Sequence, residues 1–176
     1  IGWHDEENTE IRWYYPKAAS LENNAGVGYN YLTAIWTIYT EAKTSAISRE
    51  VFAAPFSTDA DGKLFVDNVG EDANGTAITA TLLTKPLDLE NADNIKELDA
   101  IRIGYVGSGL TFRIGAQNKL SDAISWGSYL PAKVGFDFTE FRKAGRYISI
   151  EFKSDGVNDS WELSSIDIYG RLAGTR

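Results

Sequence analysis

Apolar residues in this chain recur at every second position, in short runs separated by turn-forming residues, and that period of two points to strands throughout. Ile11, Trp13 and Tyr15 fall on one face of residues 10–15 and Arg12 and Tyr14 on the other, the alternation of a half-buried strand. Asp5-Glu6-Glu7-Asn8 is a polar turn joining it to Gly2-Trp3-His4 as a hairpin, and Pro16 ends it. After a polar loop carrying Glu22-Asn23-Asn24, the residues Val27, Tyr29 and Tyr31 alternate, and Trp36 and Ile38 repeat the pattern beyond a short turn at 32–34. Up to Tyr39 the chain therefore reads as a meander of about four short strands, the content of one propeller blade or of half a sandwich.

Residues 45–54 are expected to add a strand before Pro55, and Asp59-Ala60-Asp61-Gly62 is a turn that launches Lys63-Leu64-Phe65-Val66. Gly70-Glu71-Asp72-Ala73-Asn74-Gly75 is small, polar and expected to be free of strands, which makes it the boundary between two parts. The aromatic chemistry changes there too, since every Phe lies after residue 50 while Trp3, Trp13 and Trp36 all lie before residue 40. Beyond it the strands lengthen. Ile78, Ala80 and Leu82, then Ile101, Ile103 and Tyr105, then Leu110, Phe112 and Ile114 occupy alternate positions, as one wall of a two-layer core requires. Ile124 and Trp126, Phe136 and Phe138, Ile148, Ile150 and Phe152, and Ile166 and Ile168 continue the series. Helix is expected only as a turn or two within 89–98. The expected fold is all-β, with residues 1–75 forming a blade-like meander and connector and residues 76–176 an antiparallel β-sandwich or jelly roll.

The side-chain inventory narrows the chemistry. At 43% hydrophobic and 24% charged, the chain can bury a real core. Without cysteine it has no disulfide, thiolate nucleophile or zinc ribbon, and a single histidine leaves any Ser-His-Asp device resting on His4. His4 has Asp5 and Glu6 beside it, but sequence neighbours in a strand face opposite ways, so an exposed hairpin imidazole is the simpler reading. Asp59 and Asp61, with Asp67 nearby, open like a calcium loop, yet the twelfth position is Gly70 instead of an acidic residue, which favours a turn. Glu6-Glu7 and Glu71-Asp72 read as solvated turn carboxylates, and Gly104, Gly107 and Gly109 lack the Lys-Ser/Thr of a phosphate loop. The net charge of −8 argues against gripping nucleic acid through its phosphates. No run approaches the roughly twenty apolar residues of a membrane-spanning helix. The expectation is no enzyme, no cofactor and no metal. Trp13, Tyr14, Tyr15, Tyr29 and Tyr31 are read as rings buried against neighbouring blades in preference to a platform for sugars.

Glu10-Ile11-Arg12-Trp13-Tyr14-Tyr15-Pro16, Glu22-Asn23-Asn24, Val27-Gly28-Tyr29-Asn30-Tyr31 and Trp36-Thr37-Ile38 together resemble a blade signature of the β-propeller tail hub, or nozzle, of short-tailed bacteriophages, a family also described as packaged-DNA stabilisation proteins. Asp61-Gly62-Lys63-Leu64-Phe65, Val69-Gly70 and Asn74-Gly75-Thr76-Ala77-Ile78 resemble its passage out of the propeller. Arg113-Ile114-Gly115, Gly145-Arg146-Tyr147-Ile148-Ser149-Ile150 and Trp161-Glu162-Leu163 are similar to its C-terminal domain, and Gly174-Thr175-Arg176 to its terminus. The resemblance implies a virion structural protein made in the bacterial host cytoplasm. It would form a homo-oligomeric ring, a hexamer by the family's pattern, beside other tail, adaptor or fibre proteins, with DNA only as sliding cargo and no membrane. It also implies that this chain, which has one blade and opens on Ile1-Gly2-Trp3 without methionine, is a C-terminal fragment of a longer polypeptide. Trp13, Tyr15, Tyr29, Tyr31 and Trp36 are then the candidate assembly surface. The alternative is a carbohydrate-binding module, because Arg146–Phe152 followed by Ser165–Gly170 also resembles the last strands of discoidin-like sandwiches, with Trp126 and Tyr129 as candidate loop contacts.

Overall fold

A computed structural model describes residues 1–49, 52–133, 135 and 137–174. Among these residues there is no helix; the chain is all-β, with several antiparallel sheets, none of them closed. It divides into two compact units, Ile1–Gly70 and Glu71–Arg176.

In the first unit β1 (Gly2–Asp5), β2 (Glu10–Tyr15), β3 (Ala25–Asn30) and β4 (Ile35–Tyr39) form a four-stranded sheet in chain order. Local polar chemistry sets each turn. Asn8 Nδ2 donates to Asp5 Oδ2 at 2.9 Å across the first, and Asn24 Oδ1 accepts the Lys17 N–H at 2.7 Å across the second. Asn30 Oδ1 accepts the N–H groups of Leu32 and Thr33 in the third, where Ala34 takes a left-handed φ of 56°. A three-stranded sheet follows from β5 (Ser45–Ile47), β6 (Phe56–Thr58) and β7 (Leu64–Val66). The strand expected over 45–54 is confined to three residues, because its ladder with β6 ends at the Ile47–Phe56 pair and the chain must then turn back; Glu50 and Val51 lie outside the described residues. Asp59 closes the β6–β7 hairpin, its Oδ1 accepting from Asp61 N at 3.0 Å and Lys63 N at 2.9 Å, with Gly62 at φ 79°.

The stretch expected to be strand-free holds a hairpin of β8 (Asp72–Ala73) and β9 (Thr76–Ala77), because Asn74 and Gly75 both adopt positive φ, 56° and 79°, the geometry of a tight two-residue turn. β10 (Ala80–Leu83), β16 (Tyr147–Ser154), β12 (Thr111–Gln117) and β13 (Ser125–Trp126) then form one sheet in that order, with β14 (Leu130–Pro131) also on β12. β15 (Phe138–Gly145), β11 (Ile95–Gly107) and β17 (Trp161–Gly174) form another. One buried cluster joins residues from both: Leu98, Ile101, Ile103 and Tyr105 of β11, Phe112 and Ile114 of β12, and Ile148, Ile150 and Phe152 of β16. Trp161 and Ile168 pack half-buried against it. Leu98 and Ile101 share this face although three positions apart, because the pairing of β11 with both neighbours shifts between Leu98 and Ala100, a bulge at Asp99.

Two expectations fail here. Ile78 and Leu82 are exposed: β10 has only β16 beside it, and as an edge strand it adds no wall to the core. Residues 89–94 form no helical turn but turns with Leu89 and Glu90 in left-handed φ, the Asp88 carboxylate taking the Glu90 N–H. Phe136 and the final Thr175-Arg176 lie outside the described residues.

Candidate functional site

The register of the four-stranded sheet decides which rings share a face. Trp13 pairs with Val27 and Val27 with Ile38, while Ile11 pairs with Tyr29 and Tyr29 with Trp36, so these side chains project on one side. On the other side Asp5 pairs with Glu10, Trp3 with Arg12, Arg12 with Gly28 and Tyr14 with Gly26. The polar side is the buried one. Arg12 bonds Asp5 at 2.5 Å and Glu10 at 3.0 Å, and its guanidinium lies 5.3 Å from the Trp3 ring centroid and 4.8 Å from that of Tyr39. The Tyr39 hydroxyl donates to Glu10 Oε2 at 2.5 Å, and Asn68, just beyond β7, donates to Asp5 Oδ1 at 2.8 Å. Glycines make the room: a Cβ on Gly26 would stand 2.8 Å from the Tyr14 ring, and one on Gly28 would stand 2.7 Å from the Tyr39 ring.

The charges follow from that burial. Desolvation lowers the Arg12 pKa, but Tyr39, Asp5 and the Glu10 hydrogen bond outweigh it and the net shift is upward. Burial, and then the hydrogen bond to Glu10, push the Tyr39 phenol well above the ordinary tyrosine range. Burial, followed by the charge of Glu41, raises Tyr14.

Of the rings on the first sheet, Tyr14 is buried, Tyr29 is half-buried, and Trp13, Tyr15 and Tyr31 are exposed. Trp36 is 64% and Ile38 80% exposed. Their face forms a connected aromatic surface: the Trp13 and Trp36 rings stack with centroids 6.1 Å apart, and Tyr29 lies 4.9 Å from Trp36. At its border the exposed His4 sets Nε2 3.2 Å from the Tyr31 hydroxyl, while Asp5 faces Arg12 on the opposite side, so His4 has no carboxylate from Asp5. Ile11, Trp13, Val27, Tyr29, Trp36 and Ile38 make up this face, and its chemistry is that of apolar contact.

The two loop aromatics expected in the second unit come together. Trp126 and Tyr129 both reach Arg113 of β12, whose guanidinium carbon lies 4.5 Å and 4.7 Å from their ring centroids. Arg113 also pairs with Glu151 of β16, which accepts from the Tyr129 hydroxyl at 3.0 Å. Sequence reading missed Arg113 and Glu151, because their partnership depends on the β12–β16 register.

Other polar features are structural ties. Lys96 is 3% exposed, and its ammonium donates to the carbonyls of Asn91 and Arg146; burial lowers its pKa. An open groove of about 650 Å³ beside the Asp99 bulge is lined by charged residues, among them Glu97 and Arg171, which pair at 2.7 Å. Among the described residues no group of three or more His, Cys, Asp or Glu is placed to hold a metal ion, and no helix is long and apolar enough to cross a membrane. No protein-family model matches the chain, and no curated protein matches it significantly.

Proposed function

We propose that this chain is a virion structural protein, a component of the tail hub or nozzle of a short-tailed bacteriophage that acts by assembly and carries out no reaction. The observation that carries the proposal is the bare aromatic face of the first sheet. A sheet that buries a charged network on one side presents Trp13, Tyr15, Trp36 and Ile38 on the other, an apolar surface of the kind that a partner covers. A four-stranded antiparallel meander in chain order is the content of a propeller blade, and blades pack face to face through such surfaces. In this reading the sheet is the last blade of a β-propeller, and the two sheets around Ile101, Phe112 and Ile150 are the layers of a β-sandwich.

The occupant of the aromatic face, for this chain by itself, is a second copy of the same face. In the virion the copies would stand in a ring, six by the family resemblance, below the portal and adaptor. The net charge of −8 suits a conduit wall, since an acidic surface offers phosphates no counter-charge and lets DNA slide. Electron microscopy of the concentrated protein tests the reading: discrete multimers of fixed size are expected, and a field of monomers at every concentration would contradict it.

A further inference from the structure

Arg113 and Glu151 stand directly across from each other on β12 and β16, so the sheet itself fixes their spacing. Gly115 is two residues further along β12 on the same face, and its missing side chain lets Trp126 settle onto the strand; a Cβ there would stand 2.8 Å from Trp126 Cε3. The Arg113 guanidinium is therefore constrained by the Trp126 and Tyr129 rings and tied through Nε to Glu151 Oε2. The same Oε2 takes the Tyr129 hydroxyl at 3.0 Å, which fixes that ring as well.

What these contacts leave over is specific. Among the described residues nothing bonds the two terminal nitrogens of Arg113 or the second oxygen of Glu151, and none of these atoms is sealed from solvent. A rigid pair of donors thus lies beside a rigid acceptor, the complement of two neighbouring hydroxyls, each of which both donates and accepts. Tyr129, 39% exposed, supplies apolar ring surface at the same spot. The charges cancel locally, Arg113 against Glu151 and Lys153 against Asp155 at 2.6 Å, so neither an anion nor a cation is favoured. An uncharged ligand with vicinal hydroxyls on one edge and C–H groups on one face meets every term.

We propose that Arg113, Glu151, Trp126 and Tyr129 form a binding site for a neutral hexopyranosyl unit of a glycan, seated on the outer face of the β12–β16 sheet. The hydroxyls engage the free edge of Arg113 and the free oxygen of Glu151, and the sugar's C–H face lies on Tyr129. This is independent of the assembly role of the first unit and survives or fails without it.

The test is a titration of the full chain with the methyl glycosides of glucose, galactose and mannose, following the Trp126 indole N–H by NMR. At least one should give a saturable shift centred on Trp126. Tyr129→Ala and Arg113→Lys, the latter keeping charge but losing the planar fork, should each weaken binding by about tenfold or more. Tyr129→Phe, which keeps the ring, should weaken it less, and Val106→Ser, at an exposed position on β11, should leave it unchanged. Amide spectra establish that each variant is folded. The proposal is overturned if no neutral glycoside shifts Trp126 at concentrations of about 50 mM, well above the usual weak-binding range. It is equally overturned if a folded Tyr129→Ala binds as well as the parent, or if glucuronic acid or glucosamine binds better than the neutral sugars.

Discussion

Replacing Arg12 with Leu removes the cation that bridges two buried carboxylates. Asp5 is 1% exposed and, among the described residues, would keep its hydrogen bonds from Asn8 and Asn68, and Glu10 that from Tyr39. Asp5 and Glu10 are also direct cross-strand partners, so the variant sets like charges opposite each other. Breaking a buried ion pair from one side costs about 3–5 kcal/mol, and the surviving hydrogen bonds place this case near the lower end. Against a domain stability of about 5–15 kcal/mol, that is a large fraction. Urea unfolding followed by the indole resonance of Trp3, 5.3 Å from the Arg12 guanidinium, would read it for the first unit alone. Adding Asp5→Asn and Glu10→Gln to the Leu variant should recover much of the loss at pH 7, since a wholly neutral replacement leaves no orphaned charge. A loss below about 1 kcal/mol, or no recovery when Asp5→Asn and Glu10→Gln are added, would show that simple packing and not the charged network holds this face.

Tyr39 supplies an alkaline counterpart. Its phenol is raised first by burial and then by the Glu10 hydrogen bond, so its contribution to stability is fully present below the ordinary tyrosine pKa of about 10 and is lost as pH climbs toward the raised value. The melting temperature of the parent should therefore fall more steeply between about pH 9 and pH 11 than that of Tyr39→Phe, and equal slopes would contradict the assignment. At Gly115, substitution by Ala puts a Cβ 2.4 Å from Ile124 Cγ2 and 2.8 Å from Trp126, which should cost about 1–3 kcal/mol and expel the Trp126 loop. A red shift of Trp126 emission, measured with the other tryptophans replaced by Phe, checks it; unchanged emission would show that the loop does not rest on β12.

Strand positions were legible because their causes are local. The alternation at Ile11, Trp13 and Tyr15, the Asn74-Gly75 turn and the rows through Ile101, Phe112 and Ile150 need only near neighbours in sequence to be read. Which face of β2 lies inside was not legible. Hydrophobicity puts Trp13 and Tyr15 in and Arg12 out, yet Arg12 finds two carboxylates, and Gly26-x-Gly28 on the adjacent strand gives Tyr14 and Tyr39 floor space. Glycines at alternate positions opposite a Glu-x-Arg pair were the available signal. Trp126 and Tyr129 stood out as aromatic residues in a turn-rich stretch, but Arg113 and Glu151 are 38 positions apart and meet only through a register fixed by the core. The bulge at Asp99 was hidden for the same reason, since one extra residue in a strand has no composition of its own.

Sedimentation velocity of the parent beside the double variant Trp36→Lys with Ile38→Lys decides whether the aromatic face of the first sheet is an assembly surface. Both positions are more than half exposed, so the substitutions leave the interior of the sheet intact and change only what a partner would meet. The parent is expected to sediment as concentration-dependent oligomers in the micromolar range while the variant, with an unchanged circular dichroism spectrum, sediments as a monomer. A parent that stays monomeric throughout, or a folded variant that associates as strongly as the parent, would contradict it.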